Sequence, residues 1–127
     1  MNSIEKGHIF LASDLVIFPG FTFKQFKETR YYKNQDGVRI IYLEDKQIID
    51  NRNYIVSLFF RKDKIYMVSL ICCDIEYSEQ EEKKRKRLHD SILSEMGIYG
   101  QQLYSWGKVS SDYDERSNIS SINIMYF

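Results

Sequence analysis

This 127-residue sequence has only two histidines, His8 and His89, and two cysteines, Cys72 and Cys73, from which a thiol–imidazole pair or a soft metal site could be built. A cysteine nucleophile needs a base beside it. His89 could supply one if a helix carrying it packs against the strand carrying the cysteines. Cys72 and Cys73 are adjacent, so on a strand they point to opposite faces and only one can meet His89. No third group is spaced to orient the imidazole, and the plainer reading is two small apolar fillers and a half-buried helix histidine. A metal site needs three or four ligands at recurring spacings, which two histidines and two neighbouring cysteines do not provide. No glycine-rich turn leads from a strand into a helix, so there is no phosphate-binding fingerprint. Eighteen carboxylates are present without the paired pattern of a glycosidase. The sequence therefore predicts no catalytic residues, no cofactor and no metal, and a protein that is not an enzyme.

Charge is the next source of chemistry. Eighteen basic and eighteen acidic residues cancel, whereas a dedicated nucleic-acid binder usually carries a basic excess. The distribution is uneven. Residues 1–73 hold 11 basic and 8 acidic groups, 74–87 hold five of each, and 88–127 hold 2 basic and 5 acidic. The acidic excess gathers in Asp112, Asp114 and Glu115, with Tyr113 set among them. Read as an exposed turn between two strands, Asp112-Tyr113-Asp114-Glu115 is the candidate partner-binding segment. Its carboxylates would steer a basic protein and its tyrosine would supply apolar contact. The run Lys83-Lys84-Arg85-Lys86-Arg87 spreads around a helix rather than forming one patch. The acids one turn earlier, paired as Glu79–Lys83, Glu81–Arg85 and Glu82–Lys86, would neutralise much of it. An alternative function remains: a nucleic-acid-binding domain in which Tyr54, Tyr66, Tyr104 and Trp106 stack bases beside Arg39, Arg61, Lys108 and the basic helix.

The elements that must position these groups follow from periodicity and turn signals. Leu15 to Phe18 suits a short strand. Thr22 with Gln25 three residues on forms a capping box for a helix over about Phe23 to Tyr32. Strand-like runs cover Val38 to Glu44 and Gln47 to Ile49. Tyr54 to Arg61 and Lys64 to Cys73 form a hairpin with its tip at Lys62-Asp63. Tyr54, Val56, Leu58 and Phe60 share one face of the first arm. Tyr66, Val68, Leu70 and Cys72 share one face of the second, with Ile65, Met67 and Ile71 opposite. Both faces are largely apolar, as for strands covered by helices on one side and by further structure or a partner on the other. Ser78 with Glu81 caps a second helix over 78–96, stopped by Gly97, whose first two turns lack an apolar side and should project into water. Leu103 to Ser110 and Ile119 to Phe127 alternate as strands, separated by a loop from Asp112 to Asn118. The sum is a single domain over residues 1–127. It is of the α+β class, with a mostly antiparallel sheet of five to six strands packed with two helices.

The stretch Met1 to Gly7 lacks the basic start and apolar run of a secretory signal. No apolar stretch approaches the ~20 residues of a membrane helix. Two adjacent cysteines fit a reducing, cytoplasmic home. In general character the chain resembles the small cytosolic immunity proteins of bacterial polymorphic-toxin and contact-dependent growth inhibition systems. The resemblance rests on the extended entry into Phe18-Pro19-Gly20 before the helix capped at Thr22, the aliphatic–aromatic hairpin 54–73, and Trp106-Gly107 before a terminal strand pair. It implies a non-enzymatic protein that neutralises one cognate toxin domain, often a nuclease, by stoichiometric binding.

Overall fold

The reciprocal cap predicted at Thr22 forms. Its hydroxyl accepts the Gln25 backbone N–H at 3.1 Å, and the Gln25 side chain accepts the Thr22 N–H at 2.9 Å. The helix it starts, α1 (Phe23–Lys27), is shorter than its pattern suggests. The Thr29 hydroxyl donates to the Phe26 carbonyl at 2.7 Å and accepts the Tyr31 N–H at 3.3 Å. These local bonds replace the helical ladder and end it. The computed structural model describes residues 4–11 and 14–127. Among them the chain forms nine strands and two α-helices, an α+β arrangement.

The strands are β1 (Ile9–Leu11), β2 (Leu15–Ile17), β3 (Ile40–Tyr42), β4 (Gln47–Ile49), β5 (Arg52–Arg61), β6 (Lys64–Cys72), β7 (Gln101–Tyr104), β8 (Gly107–Asp114) and β9 (Ile119–Tyr126). β1 and β2 pair as a small ribbon. The other seven form one sheet in the order β3-β5-β6-β9-β8-β7, with β4 also on β5, and every pairing is antiparallel. This exceeds the five to six strands expected. β1 carries only three residues of pattern, and the run read as one strand over 103–110 is a hairpin turning at Ser105-Trp106. Gly107 closes that turn because β8 lies so near β9 that a Cβ would sit 1.9 Å from the Met125 carbonyl oxygen.

One face of the large sheet builds the core. Tyr54, Val56, Leu58 and Phe60 of β5 lie beside Val68, Leu70 and Cys72 of β6 and Ile122, Ile124 and Tyr126 of β9. Phe26 of α1 and Ile92 and Leu93 of helix α2 (Glu82–Glu95) belong to the same cluster, as do Ile9, Leu11, Leu15 and Ile17 of the ribbon. The predicted grouping fails at one place. The register slips between Phe59 and Phe60, which oppose Met67 and Ile65. The slip leaves Tyr66 as the extra residue of a bulge. Ile65 turns into the core and Tyr66 turns out beside Phe59, with ring centroids 6.0 Å apart.

The second helix begins as predicted, with Ser78 and Glu81 forming a capping box ahead of a 3-10 turn, Glu79–Glu81. Its first turns do not project into water. Glu82 is buried, and Asn118 donates to the Glu79 carbonyl at 2.8 Å. The polar start of this helix is a contact surface for β9, made through hydrogen bonds rather than apolar side chains.

Candidate functional site

The second face of the large sheet is open. Residues directly opposite on paired strands share a face, so registers define its rows. One row runs Ile40, Phe59, Met67, Met125, Lys108, Leu103; the next runs Tyr42, Ser57, Ser69, Asn123, Ser110, Gln101. Ile55 and Ile71 continue one side, and Asp112 opposite Ser121 and Asp114 opposite Ile119 continue the other. Tyr42, Ile55, Leu103, Ile119 and Met125 are exposed, Tyr42 at 67%. These apolar side chains are interleaved with Ser57, Ser69, Asn123 and Lys108, so the face mixes exposed apolar and polar groups. A shallow concavity of about 380 Å³ runs across it between Tyr42, Phe59, Met67, Ile71, Ile119 and Asn123.

Asp112 and Asp114 stand at one end of this face. The expected loop from Asp112 to Asn118 is a misreading, because β8 pairs with β9 as far as Asp114 opposite Ile119. Only the four residues 115–118 turn, and Asn118 takes a positive φ of 55°. The Ser-Ser-Asp-Tyr-Asp stretch looks like loop, but its polarity is that of strand residues at the border of an uncovered face. The four predicted partner-binding residues are therefore divided. The Asp112 carboxylate accepts from Ser110 at 2.7 Å and from Asn123 at 2.8 Å, which fixes it on the open face. Asp114 follows on that face and accepts the Arg116 N–H at 3.0 Å. Tyr113 has the other orientation, with its hydroxyl on Asn118 at 2.7 Å and the Lys83 ammonium 5.7 Å from its ring. Glu115 is exposed in the turn.

The cysteine–histidine pair does meet, but not as nucleophile and base. His89 is fully buried, and its Nε2 accepts the backbone N–H of Cys72 at 3.0 Å. The Cys72 thiol donates instead to Asp74, at 3.7 Å. Burial pushes the thiol pKa up and pulls the His89 imidazole down to about 4. Both groups are thus held neutral.

The reason for this contact lies in the sheet. β6 and β9 pair only from Met67–Met125 to Leu70–Ile122, and beyond that they part. The next hydrogen-bonded pair of the ladder would have been Cys72 with Ser120. Two side chains of α2, two turns apart on one helical face, enter the gap. His89 takes the Cys72 N–H, and Glu82 takes the Ser120 N–H at 2.9 Å, while the Glu82 carbonyl accepts the Ser120 hydroxyl at 3.0 Å. Arg85 clasps the Glu82 carboxylate at 2.8 and 3.1 Å. A buried polar wedge thus completes a split sheet, since a buried N–H left unpaired is costly. Sequence reasoning marked His89 but not this role, and it missed Glu82; the visible signal was a seven-residue spacing of two acceptors on one helix.

The basic run is largely engaged. Lys84 pairs with Glu81 at 2.9 Å, Arg85 with Glu82, and Lys86 with Asp90 at 2.6 Å. The pairs differ from those expected, because Glu81 belongs to the cap and Glu82 points inward. Of the aromatics considered for base stacking, Tyr54 is buried. Trp106 donates to the Glu5 carbonyl at 2.9 Å and lies parallel to Tyr104, centroids 5.2 Å apart. Tyr66 alone borders the open face. Among the described residues there is no cluster of three or more metal-ligating side chains, and no helix long and apolar enough to cross a membrane. Comparison with protein-family models, with curated proteins and with solved structures finds no match to this chain.

Proposed function

We propose that this protein is a binding module that docks a protein partner on the open face of its seven-stranded sheet. We further propose, from the resemblance of its sequence to bacterial immunity proteins, that the partner is a toxin domain which it neutralises stoichiometrically. The observation that carries the reading is the uncovered apolar surface of Tyr42, Ile55, Ile119 and Met125, interleaved with hydroxyls and ending at two fixed carboxylates. The face is charged unevenly: Lys108 stands at one end of β8 and Asp112 and Asp114 toward the other. A partner with an apolar centre and basic groups set against Asp112 and Asp114 would match it, and such complementarity fixes orientation and speeds encounter. The preorganised carboxylate of Asp112 lowers the ordering cost of that contact.

The test is protection. The product of the gene directly upstream is expressed with this chain, either wild type or carrying Ile55→Glu and Ile119→Glu, and growth is measured. Wild type should protect and form a 1:1 complex by calorimetry. The folded double variant should do neither. Absence of both protection and complex with the wild type refutes the toxin reading, and a fully protective variant refutes the open face.

A further inference from the structure

At the end of the sheet remote from Asp114, three cations gather around one cleft. Its lining is Arg39, Arg61 and Lys62, with Phe60 and Tyr66, and it measures about 370 Å³. Some cations are neutralised by carboxylates, as Lys27 is by Asp36, Arg30 by Asp14 and Lys84 by Glu81. Arg39, Arg61 and Lys62 make no ion pair among the described residues. Arg61 lies on the Tyr66 ring, 4.3 Å from its centroid, so the bulge that turned Tyr66 outward also sets the guanidinium.

The cleft stands on a fixed base. Phe60 beneath it packs against Phe23 at 5.5 Å and Phe26 at 6.2 Å, and its backbone N–H donates to the Arg39 carbonyl at 2.8 Å. The hairpin tip is tied to the start of α1: Phe23 N–H donates to Asp63 O at 2.9 Å, and Ile65 N–H to Phe21 O at 2.8 Å. Within that tip Lys62 and Asp63 both have positive φ, 50° and 66°. Asparagine and glycine are the residues that favour such a two-residue hairpin turn. A lysine held there is strained, and strain of this kind persists where the surroundings over-determine it, often at ligand sites.

We propose that the Arg39–Arg61–Lys62 cleft is an oxyanion-binding site for a small ligand bearing a phosphoryl or carboxylate group. Two guanidinium forks fit such groups in two-point hydrogen bonds, and the lysine adds a point charge. Asp63 is a competing anion on the adjoining depression, which it lines together with Arg39 and Lys62. The cleft holds more than a bare anion, so the ligand extends beyond its charged group toward Tyr66. The site is independent of the protein-docking reading, and its test uses no partner protein.

Inorganic phosphate, glutarate and chloride are titrated into the whole chain at constant ionic strength, and backbone amide shifts are followed by NMR. Saturable shifts confined to residues 39 and 60–66, with phosphate or with glutarate but not with chloride, are expected; which anion binds tighter assigns the phosphoryl or the carboxylate source. Arg39→Gln with Arg61→Gln should weaken that binding at least about tenfold. Lys84→Gln, on the paired helix run, should leave it unchanged. Lys62→Gly should weaken binding while raising the unfolding midpoint, because glycine relieves the positive φ. Shifts that fail to saturate, or that chloride reproduces, overturn the site. So does unaltered binding in the folded double-arginine variant.

Discussion

Acidification should open the split between β6 and β9 through His89. The imidazole can accept the Cys72 N–H only while Nε2 is unprotonated. Burial is the main reason its pKa falls from 6.5 to about 4, with the Arg85 charge adding to it. Between those two values the unfolded chain takes up a proton that the folded chain refuses. Stability from this group is therefore complete above pH 6.5 and falls as pH drops to about 4. At 1.36 kcal/mol per pH unit the loss sums to about 3 kcal/mol. Urea unfolding at pH 7.5, 6.5, 5.5 and 4.5 measures it. His89→Gln is the comparison, because its amide oxygen can accept the same N–H without titrating. Carboxylates that titrate in both proteins, such as Asp74 and Glu81, whose hydrogen bonds hold them below their usual range, cancel in the difference. The wild type should lose about 2.5 kcal/mol more than His89→Gln between pH 7.5 and 4.5. Parallel stability curves would refute the account, and would mean that His89 can protonate in place or that the strands tolerate the lost acceptor.

Glu82→Ala strips the acceptor from Ser120 and the partner from Arg85, and should cost about 2–4 kcal/mol in denaturant unfolding, with Glu82→Gln recovering much of it. Trp106→Ala should cost about 3 kcal/mol, since the ring packs against Tyr104 and Tyr126; an unchanged midpoint would make Trp106 a contact residue instead. Asp112→Lys with Asp114→Lys should weaken partner binding at least about tenfold by calorimetry, an effect that shrinks as salt rises. Replacing Cys73 by Ala should leave both stability and partner binding near wild type, measured by the same titrations.

What could be read from the residues was whatever rests on local rules. The Thr22 and Ser78 caps, the hairpin around Lys62-Asp63 and the inward Ile122, Ile124 and Tyr126 all follow from spacing. Long-range choices were not legible. The bulge at Tyr66 leaves no mark in an apolar–aromatic run, yet it reverses the side chains before it. The early end of α1 depended on one hydroxyl, Thr29, choosing its local carbonyl. The polarity of Asp112 and Asp114 suggests a turn, but it is that of strand residues on an open sheet face. Alternation along that strand divides the four predicted contact residues. Glu82 looked solvated because charged residues usually are, and only the parting of two strands gives it an interior task.

β9 lies between β6 and β8, although it is made after both. On the ribosome, the β5–β6 hairpin and α2 are complete while the place that β9 will fill is vacant. Until then the outer edge of β6 shows unpaired backbone groups beside Val68 and Leu70, a template for wrong pairing with another chain. The contacts that close the sheet are thus its last and among its most distant in sequence, which slows the final step. A nascent chain paused before residue 119 would hold two half-sheets that cannot yet join. Folding of this sheet is in that sense a closing insertion, and its greatest exposure to aggregation lasts until residues 119–126 have been made.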